Sequence, residues 1–299
     1  MDSMQLKEKI KNLTIWRKGD QRAPHKPLLI LYALGQLQSK GARYLLYEEV
    51  REPLTNLLKE FGPRRRSYHP EEPFVRMTRD GIWTLDADID SVHIKSPWLI
   101  KHGISGGFNN EVYQLLCANP SLVSEVVKIV LSSHFPETIH DDILSAVGLD
   151  FDSEAVGYGG HTSSNTSRDP KFRAKVLRAY EYSCAVCGFN VRLGNNLVAV
   201  EAAHIKWHQA GGPDSEENGI ALCTMHHKLF DRGVFTITDS KRFLVAEEAN
   251  GSNGLEEWLM KYHGQLVRSP INPQYQPNQS YVEWHVKEVF KSPGRYYVG

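Results

Sequence analysis

No stretch of this sequence is apolar for long enough to cross a bilayer. A membrane helix needs about 18 or more consecutive apolar residues, and the longest obvious run, Leu28 to Leu34, falls far short. The opening segment, Met1-Asp2-Ser3-Met4-Gln5-Leu6-Lys7, lacks the basic-then-apolar layout of a secretory signal. Membrane and secreted readings drop out, and a cytoplasmic protein is expected. Cysteine is scarce, with four in 299 residues at positions 117, 184, 187 and 223, so a disulfide framework is not expected. An excess of either charge is missing too. Lys plus Arg number 35 and Asp plus Glu number 35, and each half of the chain is balanced by itself. A basic field over the whole molecule, the usual mark of a nucleic-acid binder, is therefore excluded. Any polyanion must be held by local patches, and composition alone argues mildly against DNA.

What is present is ordinary globular material, 41% hydrophobic and 23% charged. The length favours two domains of roughly 150 residues, each able to bury a core without staples. Residues 1–150 read as mostly helical. Pro24-His25-Lys26-Pro27 opens a helix buried on most faces. A second, amphipathic helix spans about Tyr47 to Phe61, with Val50, Leu54, Leu57 and Leu58 on one face. The runs Phe74–Met77 and Ile82–Leu85 around Asp80-Gly81 predict a β-hairpin. Further helices are expected at 109–117, 121–133 and 138–147; Cys117, on the first, reads as a small buried hydrophobe. Residues 151–168 are rich in Gly, Ser and Thr without periodicity and read as a flexible linker. A second domain, 169–299, starts with a helix near 171–180 and ends in a short amphipathic helix, 281–290, suited to packing or dimerisation. The expected class is α+β in two domains.

The other three cysteines carry chemistry. Cys184-Ala185-Val186-Cys187 and Cys223-Thr224-Met225-His226 are two pairs with the same gap, and together they can close a tetrahedral Cys3His zinc site. Between them lie Glu201-Ala202-Ala203-His204 and Asn218, with His227 and Asp231 directly after, spaced i,i+4 on one helix face. Hydrolysis of a phosphodiester needs a deprotonated water and neutralisation of phosphoryl charge, and a histidine near its ordinary pKa serves as general base at neutral pH.

The segments EAAHI, ENGIALCxxHH and HKLFD, within residues 170–240, resemble the HNH (ββα-metal) nuclease family. The resemblance implies that His204 is the general base, that Asn218 orients it, and that His227 holds a catalytic Mg2+ or Mn2+ with Asp231 as second ligand. Many relatives place a metal ligand directly before the base, where this chain has Ala203. Strand alternation puts Glu201 on the face of Ala203, making it the candidate substitute. His226 completes the zinc set by spacing, while His227 points elsewhere. His208 matches no motif position.

Two basic clusters relieve the neutral balance in the first half. Arg17-Lys18-Gly19-Asp20-Gln21-Arg22 precedes the first buried helix, and Arg64-Arg65-Arg66-Ser67-Tyr68-His69-Pro70 follows the second. Such loops suit phosphate clamping and groove contacts. Together with DGIW (80–83) and SGGF (105–108), the segments RAPHKPLLILYALG (22–35) and RSYHPEEPF (66–74) are similar to the McrA-like phosphorothioate-dependent HNH restriction endonucleases, which carry an N-terminal sulfur-binding domain. The resemblance implies a double-stranded, phosphorothioated DNA partner and cleavage nearby. It assigns Pro70 and His69, with Tyr68 and Pro73 beside them, to a sulfur pocket. Ser67 and Arg22 would hold the modified phosphate, and Arg64, Arg65 and Arg66 would contact bases or backbone. Cutting two strands favours a homodimer. An HNH nuclease directed to methylated or unmodified DNA is the alternative enzyme. A purely structural zinc module would leave His204, Asn218 and His227 unexplained.

Overall fold

The computed structural model describes residues 1–16, 19–149, 169 and 171–296. The linker expected at 151–168, with Arg17, Lys18 and Pro170, lies outside the described residues. The chain divides into two compact units, Met1–Ser164 and Asn165–Gly299. Among the described residues no single helix is long and apolar enough to cross a membrane.

The first unit is helical around a three-stranded antiparallel sheet. Helix α1 (Ser3–Lys11) starts at a capping box formed by Asp2 and Gln5. Helix α2 (His25–Lys40) is apolar nearly all round, burying Leu28 to Leu31, Ala33, Leu34 and Leu37, and stops at Gly41 in the left-handed region. Strand β1 (Tyr44–Leu46) leads directly into α3 (Tyr47–Phe61), whose buried residues include Val50, Leu54, Leu57 and Leu58 as its periodicity requires. Then follow α4 (Glu71–Arg76), β2 (Trp83–Leu85), α5 (Ser96–Lys101), β3 (Ser105–Phe108), α6 (Asn110–Ala118), α7 (Pro120–His134) and α8 (His140–Val147).

Two expectations fail here for identifiable reasons. Residues 74–77 form no strand: Phe74 to Arg76 finish α4 and Met77 starts a 3-10 turn. Strand β2 instead pairs with β3, Trp83 opposite Phe108, and β3 pairs on its other edge with β1, Tyr44 opposite Gly107. The central strand can lie this close because it is SGGF: a Cβ on Gly107 would stand 1.7 Å from the Arg43 carbonyl oxygen, and one on Gly106 2.7 Å from the Leu85 side chain. Cys117 is exposed rather than buried, because α6 turns Val112 and Leu116 inward and the next position faces out.

The second unit opens with α9 (Phe172–Ala179) and a short exposed hairpin, β4 (Arg192–Leu193) and β5 (Asn196–Leu197). Strand β6 (Val200–His204) pairs antiparallel with the wholly buried β7 (Gly219–Cys223), Val200 opposite Cys223 and His204 opposite Gly219. Helix α10 (Thr224–Asp231) follows β7 without a loop, completing a ββα arrangement. Helix α9 lies tightly on this ribbon, since a Cβ on Gly219 would meet Val176 at 2.3 Å. A second ribbon, β8 (Phe235–Ile237) with β9 (Phe243–Val245), extends the core. After α11 (Asn253–Trp258), the C-terminal α12 (Gln279–Glu288) packs on β8 and buries Val282, Trp284 and His285.

A buried ion pair ties the first unit together. Lys26 Nζ lies 2.5 Å from Asp80 Oδ2, with side chains only 11% and 3% exposed, and Asp80 Oδ1 accepts the Thr14 N–H at 2.8 Å. Asp80→Ala strands the buried ammonium and is expected to cost about 3 kcal/mol, measured by urea denaturation. The unit also buries neutral histidines. Burial pushes His25 and His140 down, and burial with the Arg22 charge pushes His134 down to about 4. Their folded values lie below the unfolded one, so stability is complete above pH about 6.5. It is expected to fall as the pH drops toward about 4, seen as a declining denaturation midpoint for the first unit.

Candidate functional site

The Cys3His cluster assembles as its spacing predicts. Cys184 and Cys187 sit on the turn after α9, Cys223 ends β7 and His226 lies in the first turn of α10, and one ligand atom from each falls within 4.8 Å of all the others. Cys223 Sγ is 3.2 Å and Cys184 Sγ 3.7 Å from His226 Nδ1. His226 Nε2 donates to the Trp258 carbonyl at 2.9 Å, which leaves Nδ1 as the lone-pair nitrogen turned toward the sulfurs. Hydrogen bonds from Cys187 and Cys223 favour a thiolate at the buried Cys184, and that charge in turn pushes the Cys223 thiol up. The donor set, its convergence and the fixed tautomer all fit structural zinc. Among the described residues this is the group of three or more ligand-type side chains whose donor atoms converge.

His204 ends β6. Its ring stacks on Phe172 at 4.0 Å and 15°, and its Nε2 lies 2.7 Å from Asp214 Oδ1. Asn218 is fully buried and bonds to backbone rather than to that ring in the contacts resolved. Its Oδ1 accepts Lys206 N–H at 2.8 Å, and its Nδ2 donates to the carbonyls of Lys206, 3.0 Å, and Pro213, 2.9 Å. Asn218 thus joins the chain just after His204 to the chain just before Asp214. Asp214 was missed in the sequence because ten residues separate it from His204, and only the Gly211-Gly212-Pro213 turn hints that the chain doubles back.

His227 stands between two carboxylates, with Glu201 Oε2 2.7 Å from its Nδ1 and Asp231 Oδ2 3.2 Å from its Nε2. Burial lowers its pKa, but Asp231 and Glu201 prevail and raise it to about 9. The three predicted metal ligands are therefore neighbours without forming a chelate. A histidine offers an ion one nitrogen, and here the carboxylates occupy opposite nitrogens of the ring. As arranged, Glu201, His227 and Asp231 fit a chain of ion pairs and not a single ion held by all three.

In the first unit the predicted DNA-contacting residues Arg64 to Pro70 lie on one loop, between α3 and α4, while Arg22 precedes α2 and Pro73 lies within α4. Arg64, Arg66, Ser67 and His69 are exposed and Arg65 and Tyr68 half-buried, with Arg65 N–H donating to Tyr68 Oη at 3.3 Å. A carboxylate only accepts, so a neutral His69 donates from Nδ1 to Glu71 Oε1, 3.0 Å, and accepts the Ser67 hydroxyl at Nε2, 2.9 Å. Glu71 Oε2 accepts in turn from Ser96 Oγ at 2.9 Å. Pro70 caps α4 and is buried, and Pro73 lies buried inside that helix, so the exposed ring of this group is His69. Arg22 donates from Nη2 to the Phe61 carbonyl at 3.0 Å, bracing the loop's origin. Burial first, and then the neighbouring His69 and Arg65 side chains, lower the pKa of His25 at the start of α2, a residue of the PHKP segment to which the sequence alone gives no role.

Removing one zinc ligand should dismantle the second unit. Metal analysis is expected to find one zinc per chain in the wild type and none in Cys223→Ala. Structural zinc contributes about 10–16 kcal/mol in small domains, so Cys223→Ala should also unfold this unit by circular dichroism.

Residues 3–152 match the family model described as ScoMcrA-like, DNA sulfur-binding domain, and residues 184–238 match the one described as HNH endonuclease. No curated protein matches the chain. Among solved structures, the sulfur binding domain of SprMcrA complexed with phosphorothioated DNA is 23% identical over 50% of this chain and 95% of that chain, with a TM-score of 0.43. The corresponding ScoMcrA complex is 19% identical over 50% and 97%, with a TM-score of 0.43. The modification dependent TagI restriction endonuclease is 25% identical over 46% and 42%, with a TM-score of 0.30.

Proposed function

We propose that this chain, which belongs to the ScoMcrA-like DNA sulfur-binding domain family and carries an HNH endonuclease domain, is a restriction nuclease that cuts double-stranded DNA near phosphorothioate links. In this reading residues 1–150 find the modification, 151–168 connect and 169–299 cut. The observation that carries it is the placing of His204 at the end of β6 in a ββα unit beside a Cys3His cluster. That is the setting a general base for phosphodiester hydrolysis needs: a ring fixed by Phe172 and Asp214 on a short ribbon that zinc would brace.

Recognition would rest on size and hydration. Sulfur is larger, more polarisable and less well hydrated than the oxygen it replaces, so the exposed ring of His69, backed by Tyr68 and Pro70, would accept it at little desolvation cost. An ordinary phosphate oxygen would lose water there without compensation. Ser67 and the Arg64–Arg66 run would hold the phosphate and its neighbours. In the cutting step His204 takes a proton from water, the water oxygen bonds to phosphorus, the bond from phosphorus to the leaving oxygen breaks, and that oxygen takes a proton from solvent water. HNH nucleases use metal ions; Mg2+ or Mn2+ is the expected cation, and His227 can share it with one of its two carboxylates but not both. A duplex has two strands to cut, so paired copies of the chain are expected.

The test incubates matched duplexes, one phosphorothioated and one plain, with Mg2+ or Mn2+ and either wild type or His204→Ala. Wild type is expected to cut the modified duplex and spare the plain one, and His204→Ala to cut at least about 100-fold more slowly. Equal cutting of both duplexes would reject sulfur dependence in favour of a reader of methylated or unmodified DNA. Cutting of neither would reject the nuclease, and an unimpaired His204→Ala would reject the base.

A further inference from the structure

We propose that Asp214 is the positioning residue for His204, setting which ring nitrogen takes the proton; this rests on the nuclease reading above. Asp214 Oδ1 meets His204 Nε2 at 2.7 Å, and the two side chains are only 13% and 12% exposed. The second carboxylate oxygen is held as well, accepting the Asp169 backbone N–H at 2.6 Å. With both oxygens bonded, the carboxylate cannot rotate away from the ring, and Phe172 stacked on the ring face stops the imidazole from turning.

The backbone between the two residues is shaped to bring them together. Gly211 sits at φ 79°, in the left-handed region. A Cβ on Gly212 would lie 1.8 Å from the Lys206 carbonyl oxygen and 2.8 Å from Asn218 Nδ2, so only glycine passes there. Asn218 then locks Lys206 to Pro213, the residue before Asp214. The buried Asn218 thereby orients the histidine indirectly, through the loop that returns Asp214 to it.

The chemical consequence follows from what a carboxylate can do. It accepts hydrogen bonds and donates none, so the neutral His204 ring carries its proton on Nε2, and Nδ1 is the nitrogen able to accept one. When Nδ1 takes a proton from water, the ring becomes an imidazolium whose charge Asp214 neutralises. Burial alone would raise the Asp214 pKa. The Asp169 N–H and the His204 and His208 rings outweigh burial and lower it, so Asp214 is ionised at neutral pH. Among the described residues Lys175 also feels the Asp214 charge, and it pairs with Asp169 at 3.0 Å.

The test is Asp214→Asn in the full-length chain. Asparagine can still accept the Asp169 N–H through its oxygen, which turns its NH2 toward His204. Nε2 must then accept and the proton moves to Nδ1, the wrong tautomer for the base. Single-turnover cleavage is measured on whichever duplex the wild type cuts, alongside zinc content and DNA affinity. The expected result is a loss of about 100- to 10,000-fold in kcat, with KM, affinity and zinc unchanged and with Asp214→Glu recovering part of the rate. Cleavage within about threefold of wild type, or a loss confined to KM, would overturn the proposal. The tautomer is also read directly, by nitrogen-15 NMR of the His204 ring in the uncut wild-type protein. A proton on Nε2 is expected, and one on Nδ1 overturns the proposal even if Asp214→Asn fails to fold. A wild type that cuts no duplex removes the nuclease reading and this role together, whereas active wild type with unimpaired Asp214→Asn removes this role alone.

Discussion

Everything in the second unit hangs on the convergence of four side chains that the chain delivers from two places. Its central ribbon is two five-residue strands, and a two-stranded ribbon is marginal at best by itself. Cys223 at the end of β7 and His226 in the next turn meet Cys184 and Cys187 from the turn after α9, so one cluster pins the end of the ribbon, the start of α10 and the preceding helix at once. The same junction sets directions along α10. His226 faces the sulfurs, so His227, one residue on, is turned toward Glu201 and Asp231.

Charge in this protein is organised as local pairs instead of a field. His204 lies against Asp214, His69 against Glu71, His227 between Glu201 and Asp231, and Lys26 against Asp80. The histidine pairings fix a tautomer or an orientation where chemistry or recognition is proposed, and the Lys26–Asp80 pair cancels charge in the core of the first unit. Across the whole sequence Lys and Arg equal Asp and Glu in number, which leaves a formal net charge of zero. In the proposed reading, where ordinary DNA would be spared, this is compatible with weak non-specific attraction, since the counterion-release contribution scales with the phosphates a protein neutralises. The neutral balance argues against a broad basic binder and leaves room for one that depends on a single loop.

Much of the fold was legible because its signals are local. The helix over 47–61 announced itself by periodicity, α2 by its proline entry and apolar run, and the zinc set by two matched gaps. The errors were non-local. Residues 74–77 look like a strand by composition, yet Glu71 to Arg76 are helical and β2 finds its partner some twenty residues later. SGGF was visible as a motif, but its purpose, a central strand with no room for side chains, needs the neighbours of Gly106 and Gly107. The burial of Pro73 within α4 is likewise not visible from its position in RSYHPEEPF. Glu201, His227 and Asp231 were rightly placed side by side, but which nitrogen each carboxylate would occupy is a matter of ring orientation.

The sequence by itself determined the division into a helical first half and a cysteine-bearing second half, the four members of the Cys3His cluster, and the candidacy of His204, Asn218 and His227. Those conclusions depend on residue types at short spacings, which the covalent chain carries directly. Tertiary structure alone decided that Asp214 is the partner of His204, that Asn218 bonds to the backbone of Lys206 and Pro213, and that His69 is the exposed ring of its loop. Those depend on where a chain that has left a strand comes back to it. The return is set by excluded volume at Gly212, by the packing of Phe172 on the histidine and by hydrogen bonds buried with Asn218, all between residues distant in sequence.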